Sequence, residues 1–305
     1  MAESSPVQLQ LMSDLHLETP VTRPTYSDFF ITPQCPNLAL LGDIGNVVDN
    51  RLLDFLQIQV QHFEIVFFLL GNHEPYDSSF PVVIQRLREF EKEANQAHQS
   101  PDSGCGRFVF LDQTRFDISD SVTILGCTFF SRIADEQKES VARFVSDFEE
   151  IEGWTIRQHN AAHEDDLAWL NAQVAAIEHD EPWRAIVVLT HHSPTLAPAA
   201  NDARHLEDEN GVRSAFVTDV SREQCWKSKS VRVWAFGHTH FNCDFEDEQT
   251  GKRVVANQKG YSRTENATFD ADKVVKIEGM KAIKMKWKAT NWKATKRKSH
   301  KCVVQ

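Results

Sequence analysis

The chain has 305 residues, of which 41% are hydrophobic and 10% aromatic, and this composition is that of a globular protein rather than an extensively disordered one. No apolar run is long enough to predict a membrane-spanning helix. The formal net charge of −11 argues against general nucleic-acid binding, which needs a basic surface.

The hydrophobic pattern predicts alternating strands and helices along most of the chain. Strands are predicted at residues 8–12, 37–41, 64–70, 108–111, 122–128, 184–190, 231–236, 241–245 and 253–257. Helices are predicted at residues 51–63, 81–98 and 163–177. The apolar runs indicate strands that are covered on both faces, as in an α/β fold.

Five of these strands end directly in polar residues of the kinds that bind metals. In chain order, these residues are Asp14 and His16, Asp43, Asn72, His191, and finally His238 and His240. In α/β sheets, binding sites assemble in the loops just past the strand ends. Each short motif alone is weak evidence for a metal site, but the occurrence of all of them in order at five strand ends favours one common site.

The chemistry of this set indicates a metal centre. Two carboxylates, four imidazoles and one amide suit Mn, Fe, Zn or Co better than calcium, which prefers oxygen ligands. Seven ligands exceed one tetrahedral site but match two ions that share a bridge, and the carboxylate of Asp43 is the natural bridge. Two such ions can clamp a phosphoryl group and hold a hydroxide for in-line attack.

The motifs DLH, GDIGN, GNHE, LTHHSP and GHTH occur in this order between Asp14 and His240, within a match that spans residues 8–262. In this set the chain resembles the calcineurin-like metallophosphoesterase superfamily. The resemblance implies a four-layer α/β/β/α sandwich of two mixed sheets and hydrolysis of phosphate esters at a binuclear centre. It assigns the first metal ion to Asp14, His16, Asp43 and His240. The second would be held by Asp43, Asn72, His191 and His238.

The resemblance also gives His73, the residue after Asn72, a catalytic role beside the substrate. The expected role is to stabilise the transition state and to protonate the leaving oxygen. Many relatives orient this histidine with an aspartate of the G-D-x-x-D segment, but this chain has Asn46 there. The orienting hydrogen bond would therefore come from an amide or from another group.

Two branches of the superfamily do not fit the sequence. GDIGNVVDN lacks the arginine and the following glycine of the protein Ser/Thr phosphatase motif, and no tyrosine lies near Asp43 as in purple acid phosphatases. Phosphomonoesters, phosphodiesters and nucleotides all remain possible substrates. The alternatives are a non-catalytic scaffold with this fold and a nucleic-acid or cyclic-nucleotide phosphodiesterase.

Several other residues leave alternatives open. His191 is favoured over the adjacent His192 because it comes first after its strand. His159 and His163 could face the substrate, although a solvated start of a helix is the favoured interpretation. Arg132 is either a phosphate contact or a surface residue.

The C-terminal region differs in composition from the rest of the chain. Residues 271–305 contain eleven Lys/Arg and two Asp/Glu, a charge of +9, which leaves −20 for residues 1–270. We predict a metallophosphoesterase domain at residues 1–265 and a basic, disordered tail at residues 266–305. The terminal Cys302-Val-Val-Gln resembles a prenylation box beside a polybasic run, a combination that favours membrane association. Without a secretory signal pattern, a cytoplasmic location with possible peripheral membrane attachment is expected.

Overall fold

The computed structural model describes residues 6–99, 104–261 and 266–279. The strands are β1 (Val7–Met12), β2 (Asn37–Leu41), β3 (Ile65–Leu69), β4 (Arg107–Phe110), β5 (Thr114–Asp117), β6 (Val122–Gly126), β7 (Ala185–Leu189), β8 (Val231–Phe236), β9 (Cys243–Glu246), β10 (Arg253–Ala256) and β11 (Val274–Ile277). The α-helices are α1 (Asn50–His62), α2 (Phe80–His98), α3 (Lys138–Phe144), α4 (Asp147–Glu150), α5 (Ile156–Asp180), α6 (Ala203–Glu207) and α7 (Gln224–Lys227). Short 3₁₀ helices cover Asp135–Gln137, Pro198–Ala200 and Arg213–Ala215.

Within the described residues the strands form two mixed sheets. The first sheet has the order β11-β1-β2-β3-β4, in which β1 to β4 are parallel and β11 is antiparallel to β1. The second sheet has the order β5-β6-β7-β8-β10-β9. Its four central strands are parallel, and β5 and β9 are antiparallel edge strands.

Three hydrophobic clusters separate four layers. Helices α1 and α2 pack on the outer face of the first sheet, where Leu56 is buried. The two sheets face each other through residues such as Phe67 and Val187. Helices α5 and α7 cover the second sheet through residues such as Leu170 and Trp234. The predicted four-layer α/β/β/α sandwich of two mixed sheets is therefore confirmed.

The predicted domain boundary at residue 265 is too early. Strand β11 pairs with β1 along the edge of the first sheet, with Val7 opposite Ile277. Without β11, this edge of β1 would present unpaired backbone groups. The strand is short and surrounded by lysines, so the composition of the region concealed it. The rest of the predicted tail, including Cys302, lies outside the described residues.

Helix α5 begins earlier than predicted, and this changes the environment of two histidines. It starts at Ile156, where the side chain of Thr155 caps it by accepting a hydrogen bond from the backbone N–H of Gln158. His159 and His163 therefore lie inside the helix and are buried, so the interpretation of a solvated helix start is wrong. None of the described helices combines the length and the apolar character that crossing a membrane requires.

Candidate metal centre

The candidate centre lies where both sheets end their parallel strands. The predicted ligands follow β1 (Asp14, His16), β2 (Asp43), β3 (Asn72), β7 (His191) and β8 (His238, His240). The structure brings all seven side chains together, although they come from distant parts of the chain. The two sheets meet directly here, because the backbone N–H of His238 donates to the Asp14 carboxylate at 3.0 Å.

One group of side chains surrounds the position of the first predicted metal ion. The Nε2 atoms of His16 and His240 face each other at 3.0 Å. The Nε2 of His240 lies 3.4 Å from Oδ1 of Asp14, and that of His16 lies 3.9 Å from Oδ2 of Asp43. Asp14, His16 and His240 form a group whose ligand atoms are close enough to share one ion.

A second group lies on the other side of Asp43. The Nε2 of His191 is 3.4 Å from Oδ2 of Asp43 and 3.1 Å from Oδ1 of Asn72. The ring of His238 lies 4.9 Å from that of His191, measured between centroids. Asp43, His191 and His238 likewise form a group that could hold an ion. The two groups meet at Oδ2 of Asp43, as expected for a bridging carboxylate.

The outer contacts of two histidines orient their Nε2 atoms toward the centre. The Nδ1 of His191 lies 2.8 Å from the carbonyl oxygen of Leu41, which can only accept, so this nitrogen carries the proton. The Nδ1 of His16 lies 3.2 Å from the carboxylate of Glu18. In both rings Nε2 is therefore the atom that faces the centre. Metal-binding histidines in proteins are held in the same way, so the donor set fits transition metal ions.

The same geometry distinguishes His191 from His192. His192 is fully buried, and neither of its ring nitrogens has a hydrogen-bond partner within the described residues. Its ring packs against His238 at 4.1 Å between centroids, behind the candidate ligands. The arrangement favours His191 over His192 as a candidate ligand.

Backbone conformation at the centre is unusual for residues other than glycine. Asp14, His16, Asp43, His238 and His240 all have positive φ angles, between 46° and 71°. Non-glycine residues in this region cost free energy and concentrate at functional sites. Five of the seven candidate ligands share this feature, so the loops are held in strained conformations that direct the side chains inward.

Glycines beside the ligands allow the loops to approach closely. A Cβ atom on Gly71 would lie 2.1 Å from Oδ1 of Asp43, and one on Gly237 would lie 2.6 Å from Oδ2 of Asp14. Gly42 also has a φ of +81°, and a Cβ there would lie 2.6 Å from Nδ1 of His191. These contacts explain why each of the motifs GD, GN and GH begins with glycine.

Buried polar side chains that the sequence interpretation did not single out brace the loops. The carboxylate of Glu74 accepts hydrogen bonds from the backbone N–H groups of Asp43, Ile44 and Gly71, at 3.0, 2.8 and 2.7 Å. It therefore joins the loops after β2 and β3. Glu74 is the last residue of the GNHE motif, and its place in that motif is the sequence signal that could have identified it.

Asp147 and Gln258 support individual ligands. Asp147 accepts a hydrogen bond from Nδ2 of Asn72 at 2.8 Å, which turns the amide oxygen of Asn72 toward His191. Gln258 accepts from the backbone N–H of His240 and donates to Oγ1 of Thr239 at 3.1 Å. Neither residue lies near its partner in the sequence, and no local pattern could have found them.

His73 is oriented by Glu18 instead of an aspartate after β2. Oε1 of Glu18 lies 3.2 Å from Nδ1 of His73, and the hydroxyl of Tyr261 lies 3.1 Å from its Nε2. Asn46, at the position of the family aspartate, donates instead to the carbonyl oxygen of Tyr76 at 2.9 Å. Of the two alternatives given by the sequence, an amide or another group, the contact that orients His73 is therefore the second, the carboxylate of Glu18.

Electrostatics place a proton on His73. Burial raises the pKa of Glu18, but its hydrogen bonds to His16 and His73 lower the pKa to about 2. Burial lowers the pKa of His73, while Asp43 and Glu18 raise it to about 9. An ionised Glu18 beside a protonated His73 is the arrangement that a general acid needs.

Comparison with known proteins assigns the family. A model of the calcineurin-like phosphoesterase family matches residues 11–242, most of the chain. The chain belongs to the calcineurin-like phosphoesterases. The resemblance noted in the five motifs is thereby confirmed.

Individual relatives are distant. An uncharacterized protein of Acanthamoeba polyphaga mimivirus is 24% identical over 274 residues, which cover 85% of this chain and 92% of that protein. The crystal structure of phosphopantetheinyl hydrolase from Mycobacterium tuberculosis superposes with a TM-score of 0.63 at 16% identity, covering 90% of this chain and 96% of the other. A dimetal phosphatase from Danio rerio gives a TM-score of 0.50 at 12% identity, over 85% and 88% of the two chains. At these identities the solved structures support the fold alone.

The charges at the centre of this phosphoesterase suit cations. Burial raises the pKa of Asp14, but the hydrogen bond and charge of His240 hold it below its usual value. Burial also raises the pKa of Asp43, but the charges of His191 and His73 hold this pKa well below its usual value. Burial and the charge of His191 lower the pKa of His238 to about 3. Ionised carboxylates and a neutral imidazole are the forms that bind metals.

His191 behaves differently from His238. Burial lowers its pKa, but the charge and hydrogen bond of Asp43, together with the charge of Asp14 and the contact with Leu41, raise the pKa to about 10. The proton on this ring has to leave when a metal ion takes its place, so metal binding at this group is coupled to proton release.

Other residues considered in the sequence do not join the centre. His163 is buried with its Nδ1 2.5 Å from the carbonyl oxygen of Phe130, and the Nε2 of His159 lies 3.3 Å from Oγ of Ser131. These contacts place both histidines in the packing between α5 and the loop after β6. Arg132 is exposed and pairs with Glu164 at 2.9 Å, so it is a surface residue.

Proposed function

We propose that this chain hydrolyses small phosphate esters with the help of two transition metal ions, Mn, Fe, Zn or Co. One observation supports the proposal most directly: Oδ2 of Asp43 faces His16 Nε2 at 3.9 Å and His191 Nε2 at 3.4 Å. When bound, two ions would clamp the phosphoryl group and lower the pKa of the attacking water. The mixed nitrogen and oxygen donors are those that these metals prefer.

The surrounding residues would keep the ligands in place during turnover. The backbone N–H of His73 donates to Oδ1 of Asp43 at 2.9 Å, so this oxygen is fixed while Oδ2 faces both groups. Asp147 holds the amide of Asn72 with its oxygen toward the second group. Such supporting contacts set the affinity and the orientation of metal ligands.

His73 is proposed as the general acid. Glu18 holds its Nδ1, which leaves Nε2 as the atom that gives a proton to the leaving oxygen. The hydroxyl of Tyr261 now occupies the hydrogen-bonding position of Nε2, 3.1 Å away. A substrate oxygen would take this position in the complex. Protonation by His73 should increase the rate most for esters that have a poor leaving group.

Replacement of the shared carboxylate tests the proposal. We expect Asp43→Asn to lower kcat/KM by roughly a thousandfold or more and to reduce the metal content, because the amide has one oxygen and no charge. Asp54→Asn is the matched control, since Asp54 is exposed on α1. The measurements are elemental analysis after Mn loading and the hydrolysis rate of an aryl phosphate. Full activity in Asp43→Asn would refute the assignment.

A substrate panel separates the reaction classes that the site allows. The wild-type chain, loaded with Mn, is assayed with an aryl phosphate monoester, a bis-aryl phosphodiester and a cyclic nucleotide. Hydrolysis of at least one of them supports the proposal and names the class. Failure with all three, in protein that has bound its metal, would instead favour the non-catalytic scaffold.

A further inference from the structure

A cavity opens directly beside the second group of candidate ligands. It has a volume of about 420 Å³, within the usual range for small-molecule sites. Thr239, which lies between His238 and His240, forms part of its wall. Most of the remaining wall comes from the segment 201–217, which connects β7 to β8. We call this cavity the organic-group pocket.

One wall of the organic-group pocket is apolar. It is formed by Leu206, Val212, Phe216 and Val217. The ring of Phe216 stacks on that of His238, with 4.8 Å between centroids and an interplanar angle of 21°. A group that leaves the centre on this side would therefore contact Phe216 first.

The cations of the pocket are already paired. The guanidinium of Arg204 lies 2.7 Å from Oδ2 of Asp202. Arg213 donates to the carbonyl oxygen of Leu206 at 2.8 Å and lies 3.9 Å from Asp208. Asp202 and Asp208 balance the charges of the two arginines, so these pairs add little net positive charge to the wall of the pocket.

The remaining charge of the pocket is negative. Glu207 and Glu209 also line it, and they make no ion pair within the described part of the chain. Two unpaired carboxylates at the wall repel a ligand that carries further phosphates or carboxylates. The pocket thus combines an apolar contact surface with a field that disfavours anions.

We propose that the organic-group pocket binds the organic part of the substrate. The substrates would be esters of an uncharged or cationic, partly apolar alcohol at least as large as a fused ring pair. Nucleotides with additional phosphates would be poor substrates. This inference rests on the proposed hydrolase function, because it concerns the group attached to the phosphorus atom at the same centre.

The test compares esters of similar leaving-group acidity that differ only in size or charge. Phenyl phosphate and 2-naphthyl phosphate report on size, and a sulfonated naphthyl phosphate reports on charge. We expect the wild type to prefer the naphthyl over the phenyl ester in kcat/KM by roughly tenfold, from the added apolar contact. The sulfonated ester should lose most of this advantage.

Two kinds of variant then test the pocket walls. Phe216→Ala should reduce the preference for the naphthyl ester by roughly fivefold, and Phe216→Leu should retain most of it. Charge reversal in Glu207→Lys with Glu209→Lys, at exposed positions, should improve the sulfonated ester several-fold at low salt and less at high salt. Glu248→Lys, exposed between β9 and β10, is the control and should change neither ratio.

The outcomes separate the two proposals. If the wild type hydrolyses all three esters equally and the charge reversal changes nothing, the pocket assignment is overturned while the hydrolase function stands. If the metal-loaded protein hydrolyses neither these three esters nor any other phosphate ester, the proposed hydrolase function itself is wrong. A preference for the sulfonated ester in the wild type would also overturn the pocket assignment.

Discussion

The two sheets contribute different parts of the candidate centre. The first sheet supplies both carboxylates, the amide, one imidazole ligand and the proposed acid: Asp14, Asp43, Asn72, His16 and His73. The second sheet supplies the other three imidazoles, His191, His238 and His240, and the segment that lines the organic-group pocket. Both carboxylates and the proposed acid therefore come from the first sheet, whereas the second sheet supplies imidazoles and the proposed organic-group pocket.

The two sheets also differ in the hydrogen bonds that support their loops. Glu74 joins two loops of the first sheet through three hydrogen bonds, all within that sheet. The histidines of the second sheet depend on the first, because His238 donates to Asp14 and His191 donates to Leu41. We infer that damage to the first sheet affects both metal positions, whereas damage to the second can affect one.

Among the residues that support the ligands, the largest effect is expected for Glu74→Gln. The amide can accept two of the three backbone hydrogen bonds, but its NH₂ group faces the third N–H, so one buried donor loses its acceptor. We expect a loss of about 1–3 kcal/mol in the free energy of unfolding. Activity should fall by about a hundredfold, with weaker binding of both ions.

Urea unfolding of the metal-free protein and elemental analysis measure these effects. Glu64→Gln, at an exposed position before β3, is the matched control. Loss of one ion with full retention of the other would show that the first sheet is not the common support.

A smaller effect is expected for Gln258→Leu, in the loop just past β10 of the second sheet. This change removes the acceptor of the His240 N–H and the donor to Thr239, and it leaves the contacts of His191 intact. We expect activity to fall roughly ten- to a hundredfold and metal binding to weaken at the first position only. Titration with Mn should then resolve one tight and one weak site. Equal weakening of both sites would contradict the proposed asymmetry, and Gln249→Leu in the β9–β10 turn serves as the control.

Glu18→Ala tests how the first sheet orients the acid. His73 would lose the carboxylate at its Nδ1, so proton transfer to the leaving oxygen becomes less effective. We expect the rate with a poor leaving group to fall roughly tenfold more than the rate with a good one. Glu18→Gln, which keeps an acceptor oxygen, should restore part of the difference. An equal loss for both esters would indicate that Glu18 has only a structural role.

The smallest effect is expected at an exposed contact between the sheets. Asp244 of β9 pairs with Arg253 and with Lys273, which precedes β11 of the first sheet. The hydrogen bond from Arg253 lowers the pKa of Asp244 to about 2, against burial and with help from Lys273. Because the folded pKa is lower than the unfolded value of 3.8, this stabilisation is present above pH 3.8 and is lost as the pH falls toward 2.

Asp244→Asn should therefore lower the free energy of unfolding at pH 7 by less than about 1 kcal/mol, since the pair is partly exposed. The difference from the wild type should shrink between pH 4 and pH 2. Urea unfolding at several pH values, with metal removed, measures it. A constant difference over this range would mean that the ion pair does not cause the effect.

The sequence by itself determined the α/β class and the seven candidate ligands, and the resemblance of its five motifs to a known family implied the four-layer sandwich. The α/β class and the ligands follow from local signals: buried apolar strands can be recognised from short runs, and each candidate ligand comes within a few residues of a strand end. The sequence misplaced the end of the domain, because the four residues of β11 are stabilised by pairing with β1 rather than by their own pattern.

Only the tertiary structure decided what surrounds the ligands. Glu18 contacts His73 from 55 residues away, and Asp147 contacts Asn72 from 75 residues away. The organic-group pocket likewise forms where the segment before β8 folds against Thr239, which follows that strand. Such contacts depend on how the chain returns to the same sheet edge, which short-range periodicity does not encode. The candidate ligands are therefore specified locally, while the residues that contact them and the residues of the proposed pocket are brought there by the packing of the two sheets.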